Sequence, residues 1–173
     1  REGGSSQQKA NEDGFKVISI EDAVFDADVI AILLPDQVMA TVYNQSIAPN
    51  LSAGNILQFS HGYNIHYGKI IPPKDVDVMM VAPSGAGKMV RQEFEKGSGV
   101  PNLIAIHQDY SGAAFDLALS YSKAIGGTRS AAFKSTFKEE TETDLFGEQV
   151  VLTGGIPKLI QNSFKVMVDS GYS

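Results

Sequence analysis

Short apolar runs alternate with amphipathic segments along most of this chain, the pattern of β-α units arranged around a parallel sheet. Val29-Ile30-Ala31-Ile32-Leu33-Leu34 is apolar throughout, so Asp28 to Leu34 is predicted to be a central strand buried on both faces. Pro35 ends it, and Asp36 stands at its carboxyl end as N-cap of a helix carrying Val38, Met39, Val42 and Tyr43. Phe15 to Ser19 reads as a short strand, and Asn55 to Ser60, Asp77 to Ala82 and Leu103 to His107 as three more. Helix Gly112 to Ala124 turns Ala114, Leu117, Ala118 and Tyr121 to one face, a stripe that faces the core. After Gly126-Gly127 and a strand at Ser130 to Phe133 the alternation gives way to helices, Lys138 to Val150 and Pro157 to Asp169. The second of these carries Leu159, Ile160, Phe164, Val166 and Met167, and a helical region begins near Phe137. There is no internal repeat and no low-complexity linker.

Polar residues collect where the strands stop: Pro35-Asp36, Ser60-His61-Gly62, Pro83-Ser84-Gly85-Ala86-Gly87 and Gln108-Asp109. In an open α/β sheet the crevice beyond the carboxyl ends of the strands is where ligands bind. Composition narrows the ligand. A net charge of -6 with no Lys/Arg cluster argues against a nucleic-acid surface. The absence of cysteine excludes disulfides, thiolate metal sites and a thiol nucleophile, and is compatible with a reducing cytoplasm. No apolar run approaches the roughly 20 residues of a membrane span, so neither nucleic acid nor membrane is expected as a partner.

The segment Lys138 to Gln149 holds Asp144 and Glu148, which a helix places one turn apart on a single face. Such a pair can share a hard divalent cation, since Mg²⁺ takes oxygen ligands and needs only one or two carboxylates beside substrate oxygens and water. It can equally be the solvated acidic start of a helix, favoured by the macrodipole. Ser84-Gly85-Ala86-Gly87-Lys88-Met89 is not a Walker A loop, because Ala82 and Met89 stand where that motif needs Gly and Ser or Thr. A Gly-rich turn that lets backbone approach a ligand survives. His61 and His66 lie near a strand end, but without Cys or a third nearby His a zinc site is not expected. His107 ends an apolar strand as a core-edge residue, and Ser60-His61 lacks the elbow of a hydrolase triad. In Arg1-Glu2-Gly3-Gly4-Ser5-Ser6, Arg and hydroxyl side chains suit a ribose 2′-phosphate, which favours NADP over NAD.

Four segments, in order, resemble one family: Leu33-Leu34-Pro35-Asp36, Phe59-Ser60-His61-Gly62-Tyr63-Asn64-Ile65-His66, Pro72-Pro73-Lys74-Asp75-Val76-Asp77-Val78, and Thr136-Phe137 through Glu148-Gln149. The chain closely resembles ketol-acid reductoisomerase (acetohydroxy-acid isomeroreductase), short form, from Arg1 to Tyr172. The resemblance implies a Rossmann-like, mostly parallel sheet lacking its first strand and glycine loop over residues 1–136, followed at 137–173 by the start of an all-helical knotted domain. It implies Mg²⁺-dependent alkyl migration in 2-acetolactate or 2-aceto-2-hydroxybutyrate, then reduction by NADPH, in valine, leucine and isoleucine biosynthesis. By the same resemblance Asp144 and Glu148 are metal ligands for two Mg²⁺ ions per complete site, with Asp144 the bridging one. His61 is the active-site histidine between nicotinamide and substrate. Asp36, Gln37, Val38 and Met39 form a cofactor-contacting turn, Gly87 is another backbone contact, and Arg1 with Ser5 and Ser6 grips the 2′-phosphate. The intact enzyme is expected to be a cytoplasmic homo-oligomer, a dimer or larger.

The sequence departs from the family at two points. Ser84 stands where a Lys is common, removing a positive charge, and Gly4 stands where a phosphate-binding Ser is common. Arg1 without an initiator Met, and Gly171-Tyr172-Ser173 straight after an apolar helical pattern, read as the ends of an internal fragment, expected to be inactive alone. Two other readings of the same residues are a metal-independent NADP-dependent hydroxyacid dehydrogenase and a non-enzymatic nucleotide-sensing module.

Overall fold

In the computed structural model, which describes residues 3–172, five strands form one sheet in the order β1-β2-β3-β4-β5. The strands are β1 Val29–Ile32, β2 Ile56–Phe59, β3 Asp77–Pro83, β4 Asn102–Gln108 and β5 Ala132–Lys134. The helices are α1 Ser5–Glu12, α2 Ile20–Asp26, α3 Asp36–Val42, α4 Tyr63–His66, α5 Gly87–Glu95, α6 Ala114–Ala124, α7 Phe137–Phe146 and α8 Ile156–Asp169. β3 shows why the central runs are apolar without interruption. Its alternate residues Val78, Met80 and Ala82 enter one core cluster and Met79 and Val81 another, so both faces are covered. The larger cluster packs the sheet against Val24 of α2, Met39 of α3, and Tyr43 and Ile47 of the π-helical segment Tyr43–Ile47 that continues α3. The smaller one packs it against α6, whose Ala114 and Ala118 are buried and whose Leu117 and Tyr121 pack partly buried alongside, as the stripe predicts.

β1, β2 and β3 run parallel, with Val29 beside Ile56 and Ile56 beside Asp77. β4 runs antiparallel to β3, pairing Val78 with Gln108 and Pro83 with Asn102, and β5 is parallel to β4. The reversal moves one predicted strand end. Gln108-Asp109 does not join the other carboxyl ends but lies at the opposite edge, where Asp77 at the start of β3 accepts from the Tyr110 and Ser111 amides at 2.7 and 2.9 Å.

Four further expectations are corrected. β1 is an edge strand rather than a central one: among the described residues it pairs with β2 alone, and Val29, Ala31 and Leu33 are exposed. Phe15 to Ser19 is no strand: Phe15, Val17 and Ile18 are exposed and pair with nothing in the sheet, and Ser19 instead accepts from the Asp22 amide at 3.1 Å to cap α2. An extended run without a neighbouring strand leaves its backbone groups to water. The helix predicted at Lys138 to Val150 keeps α winding only to Phe146; Gly147–Gly155 is π-helix and runs without a break into α8. Asp36 is the first residue of α3 rather than its cap, which falls on Pro35.

α7 is the element that carries the acidic segment over the sheet. Thr136 Oγ1 accepts from the Glu139 amide at 3.0 Å, an N-cap that fixes where the helix begins. Phe137 then anchors it edge-on to Phe59 at 6.3 Å and to His107 at 5.6 Å. His107, expected as a core-edge residue, is exposed near the end of β4 and meets Phe137 with its ring. The last helix differs from the rest: Leu159, Ile160, Phe164 and Val166 of α8 are exposed. Among the described residues no helix is long and apolar enough to cross a membrane.

Candidate active site

β2 ends at Phe59, and the turn that follows places His61 and Gly62 against the second turn of α7. The close approach depends on glycine. A Cβ on Gly62 would fall 2.7 Å from the Phe137 carbonyl oxygen and collide with Thr141 Oγ1. Because α7 comes this near, Glu140 reaches the turn with both carboxylate oxygens. The His61 Nδ1–H donates to Oε1 and the Gly62 amide donates to Oε2, each at 2.8 Å. Glu140 is 4 % exposed, and its charge is held by these bonds. Asp144, one turn on, places Oδ2 3.6 Å from His61 Nδ1 and is half exposed.

These residues act on each other electrostatically. The hydrogen bond that His61 donates to Glu140 raises the His61 pKa above its ordinary value, opposed by burial and reinforced by the charges of Glu140, Asp36 and Asp144. Burial raises the Asp144 carboxyl, His61 pulls it back, and Glu140, Glu148 and Asp36 raise it further. Carboxylates gathered this closely repel one another, and a cation among them relieves the repulsion. His61, Glu140 and Asp144 offer donor atoms all within 4.8 Å of one another. With His61 Nδ1 committed to Glu140, the remaining donors are carboxylate oxygens, a set that suits a hard ion such as Mg²⁺ rather than zinc.

His61 also borders a cavity of about 480 Å³ beyond the carboxyl ends of β1, β2 and β3. Asp36, Met39, Ser60, Pro83, Gly85 and Gly87 line it with His61. Asp36 is oriented by Asn64, whose Nδ2 donates to its Oδ1 at 2.9 Å. On the other side of Pro83 lies a smaller cavity of about 190 Å³, where Ser84 and Thr143 face Glu140 and Asp144.

The structure therefore brings together His61, Asp36, Met39 and Gly87 around one cavity and sets Asp144 beside His61. Gln37 and Val38 are exposed on α3, and Ser5 and Ser6 open α1, with Ser6 at a separate cavity alongside Ser19 and Ile20. Glu148 falls in the π-helical segment, outside the three-residue group, although its charge reaches Asp144. Arg1 lies outside the described residues. His66 is tied to α7 through Glu142 at 3.2 Å. Glu140 is the residue that sequence reasoning missed. Its signal was the same four-residue spacing, since Glu140, Asp144 and Glu148 continue one series.

A mostly parallel α/β sheet with a ligand-sized cavity at its strand ends, bordered by a histidine and an acidic helix, defines a Rossmann-like nucleotide-cofactor-binding protein. Residues 1–131 match the family model "Acetohydroxy acid isomeroreductase, NADPH-binding domain", and residues 137–173 match "Ketol-acid reductoisomerase, C-terminal domain". The chain belongs to the ketol-acid reductoisomerase family. The curated ketol-acid reductoisomerase (NADP(+)) of Renibacterium salmoninarum is 58 % identical over 171 residues, 99 % of this chain and 50 % of the relative. A solved NADH-preferring ketol-acid reductoisomerase from an uncultured archean has a TM-score of 0.93 at 47 % identity, covering 98 % of this chain and 51 % of that one. A semialdehyde dehydrogenase NAD-binding protein from Cupriavidus necator, 18 % identical with a TM-score of 0.74, covers 96 % of this chain and 63 % of that one and shares the fold alone. The chain spans about half the length of the curated relative it matches.

Proposed function

We propose that this chain supplies the nucleotide-binding part and the first helices of a ketol-acid reductoisomerase. The whole protein converts 2-acetolactate or 2-aceto-2-hydroxybutyrate to the 2,3-dihydroxy acid, in branched-chain amino acid biosynthesis. The observation that carries this reading is the group of His61, Glu140 and Asp144 standing between the larger cavity and the smaller one. Bound Mg²⁺ supplies Lewis-acid polarisation of the substrate's hydroxyl and carbonyl oxygens, and NADPH supplies the hydride. Asp144 and Glu148 are the ligands for it, as two ions in the complete site, and the acidic, oxygen-rich surroundings of Asp144 support that role. Glu140 fixes the His61 ring by holding Nδ1–H, which leaves Nε2 to exchange a proton with a bound ligand or orient it. Asp36, Gln37, Val38, Met39 and Gly87 form the cofactor-contacting rim, and Arg1, Ser5 and Ser6 the 2′-phosphate grip.

The exposed apolar residues of α8 support a further partner surface, and the reading assigns it to the rest of the polypeptide and to a second copy in a dimer or larger homo-oligomer. The boundary between the two domains falls between Thr136 and Phe137, at the α7 cap, and the protein is cytoplasmic. The 173 residues alone are inactive. The test is NADPH oxidation by the complete polypeptide with 2-acetolactate. Turnover that requires Mg²⁺ and is abolished in Asp144→Asn supports the reading, whereas turnover indifferent to both indicates a metal-independent dehydrogenase. A module that only senses nucleotide would turn over nothing and would tolerate loss of His61.

A further inference from the structure

The helical rod that carries the carboxylates changes its winding just after them. α7 closes at Phe146, the nine residues Gly147–Gly155 are π-helical, and α8 resumes α winding at Ile156. π winding is mostly confined to single turns inserted in α-helices, frequently at functional sites. Here three successive residues close the wider turn onto carbonyls five positions back. Thr153 Oγ1 donates to the Glu148 carbonyl at 2.7 Å. A Cβ on Gly154 would collide with the Gln149 carbonyl oxygen, and one on Gly155 would lie 2.6 Å from that of Val150. Gly147, at the head of the same segment, is the contrast: a Cβ there meets nothing. Glycine is among the poorest α-helix formers, so Gly154 and Gly155 do not serve α winding. They are required by the contacts of the π turn.

Thr153 holds the carbonyl of Glu148 itself, and Gly154 and Gly155 close on those of the next two residues, Gln149 and Val150; Glu148 stands four residues beyond Asp144 on the same unbroken helical rod. The geometry points to Thr153, Gly154 and Gly155 as positioning residues that keep Glu148 set against Asp144, so that divalent-cation affinity depends on a turn lying beyond both carboxylates. The inference rests on the metal reading of Asp144 and Glu148 proposed above. In α winding the Glu148 carbonyl would accept from Leu152 instead, and the Thr153 hydroxyl would turn to the Gln149 carbonyl four positions back, as Thr143 does to Glu139 in α7, releasing Glu148.

The test measures Mn²⁺ and NADPH affinities separately, by calorimetry on the complete polypeptide. Gly154→Ala is expected to weaken Mn²⁺ binding about tenfold or more, in the range seen when groups supporting metal ligands are altered. Thr153→Val is expected to weaken it several-fold, and neither change alters NADPH affinity. Gly147→Ala leaves both affinities as they were. Mn²⁺ affinity unchanged in Gly154→Ala and Thr153→Val overturns the inference, and so does an equal loss of NADPH affinity, which would mark general damage. If Gly154→Ala fails to fold, Thr153→Val, which removes only a hydroxyl, decides alone. Asp144→Asn separates the two claims. If it binds Mn²⁺ like the parent, the metal reading falls and this inference with it; if it loses Mn²⁺ while Thr153→Val and Gly154→Ala keep it, only the positioning role falls.

Discussion

Replacing Glu140 with Gln keeps the size of a buried side chain and removes its charge. The carboxylate accepts from two donors at once, His61 Nδ1–H and the Gly62 amide, both at 2.8 Å. A glutamine offers one oxygen and one NH₂, so it satisfies one donor and turns a second donor on the other. The mismatch resolves only if His61 gives up its Nδ1 proton and accepts from the new amide, which moves the neutral ring to the Nε2–H form. Hydrogen bonds to charged groups contribute about 1.5–3 kcal/mol each, against roughly 1 kcal/mol for neutral ones, so the exchange costs about 2 kcal/mol. In a chain of this length that corresponds to a fall of roughly 4–8 °C in Tm. ¹⁵N NMR of the histidines reads both consequences. The parent is expected to show His61 protonated at Nδ1 with a pKa above 6.5, the Gln variant protonated at Nε2 with a lower pKa. A variant that keeps the Nδ1–H form, the raised pKa and an unchanged Tm would refute the brace between α7 and the His61 turn.

The same groups set a pH dependence. His61 has a raised pKa in the fold, so its stabilisation is complete below the unfolded value of 6.5 and is lost as pH rises through the folded one. The Tm gap between parent and Glu140→Gln is therefore expected to narrow above neutral pH without closing, since the Gly62 bond persists; a gap that does not change between about pH 5 and about pH 9 contradicts this. Gly62→Ala forces α7 away from the β2 turn and is expected to cost about 1–3 kcal/mol, read as a lower denaturation midpoint. An unchanged midpoint would show that α7 can shift freely. Ser84→Lys introduces an ammonium beside Glu140 and Asp144 in the small cavity and is expected to weaken Mn²⁺ binding by competing for their charge. Equal affinity in calorimetry would remove Ser84 from the electrostatics of the site.

The strands β1 to β5 were legible because short apolar runs bounded by Gly, Pro and Ser are hard to place elsewhere than in a sheet. Their direction was not. Periodicity is the same read up or down, so the antiparallel β4, and with it the removal of Gln108-Asp109 from the ligand end, needed the pairing of Val78 with Gln108. Phe15 to Ser19 has the composition of a strand, but strand formation requires a neighbour, which composition does not report. The spacing of Asp144 and Glu148 pointed to the acidic helix and extends back to Glu140, yet spacing does not say which carboxylate of the series is buried. What distinguishes Glu140 is a turn 78 residues away in sequence, at Gly62. Only Gly147 to Val150 of the π segment fell inside a helix predicted from the sequence; Val151 to Gly155 lay between the two predicted helices, where the structure winds on without a break.

The most direct test of the site is to soak crystals of the complete protein in Mn²⁺ as a stand-in for Mg²⁺ and to locate the ion by its anomalous signal. A peak within about 2.3 Å of an Asp144 carboxylate oxygen, with Glu148 sharing the ion or its water shell, is the expected result. A peak elsewhere, with Asp144 and Glu148 both turned to solvent, would contradict it.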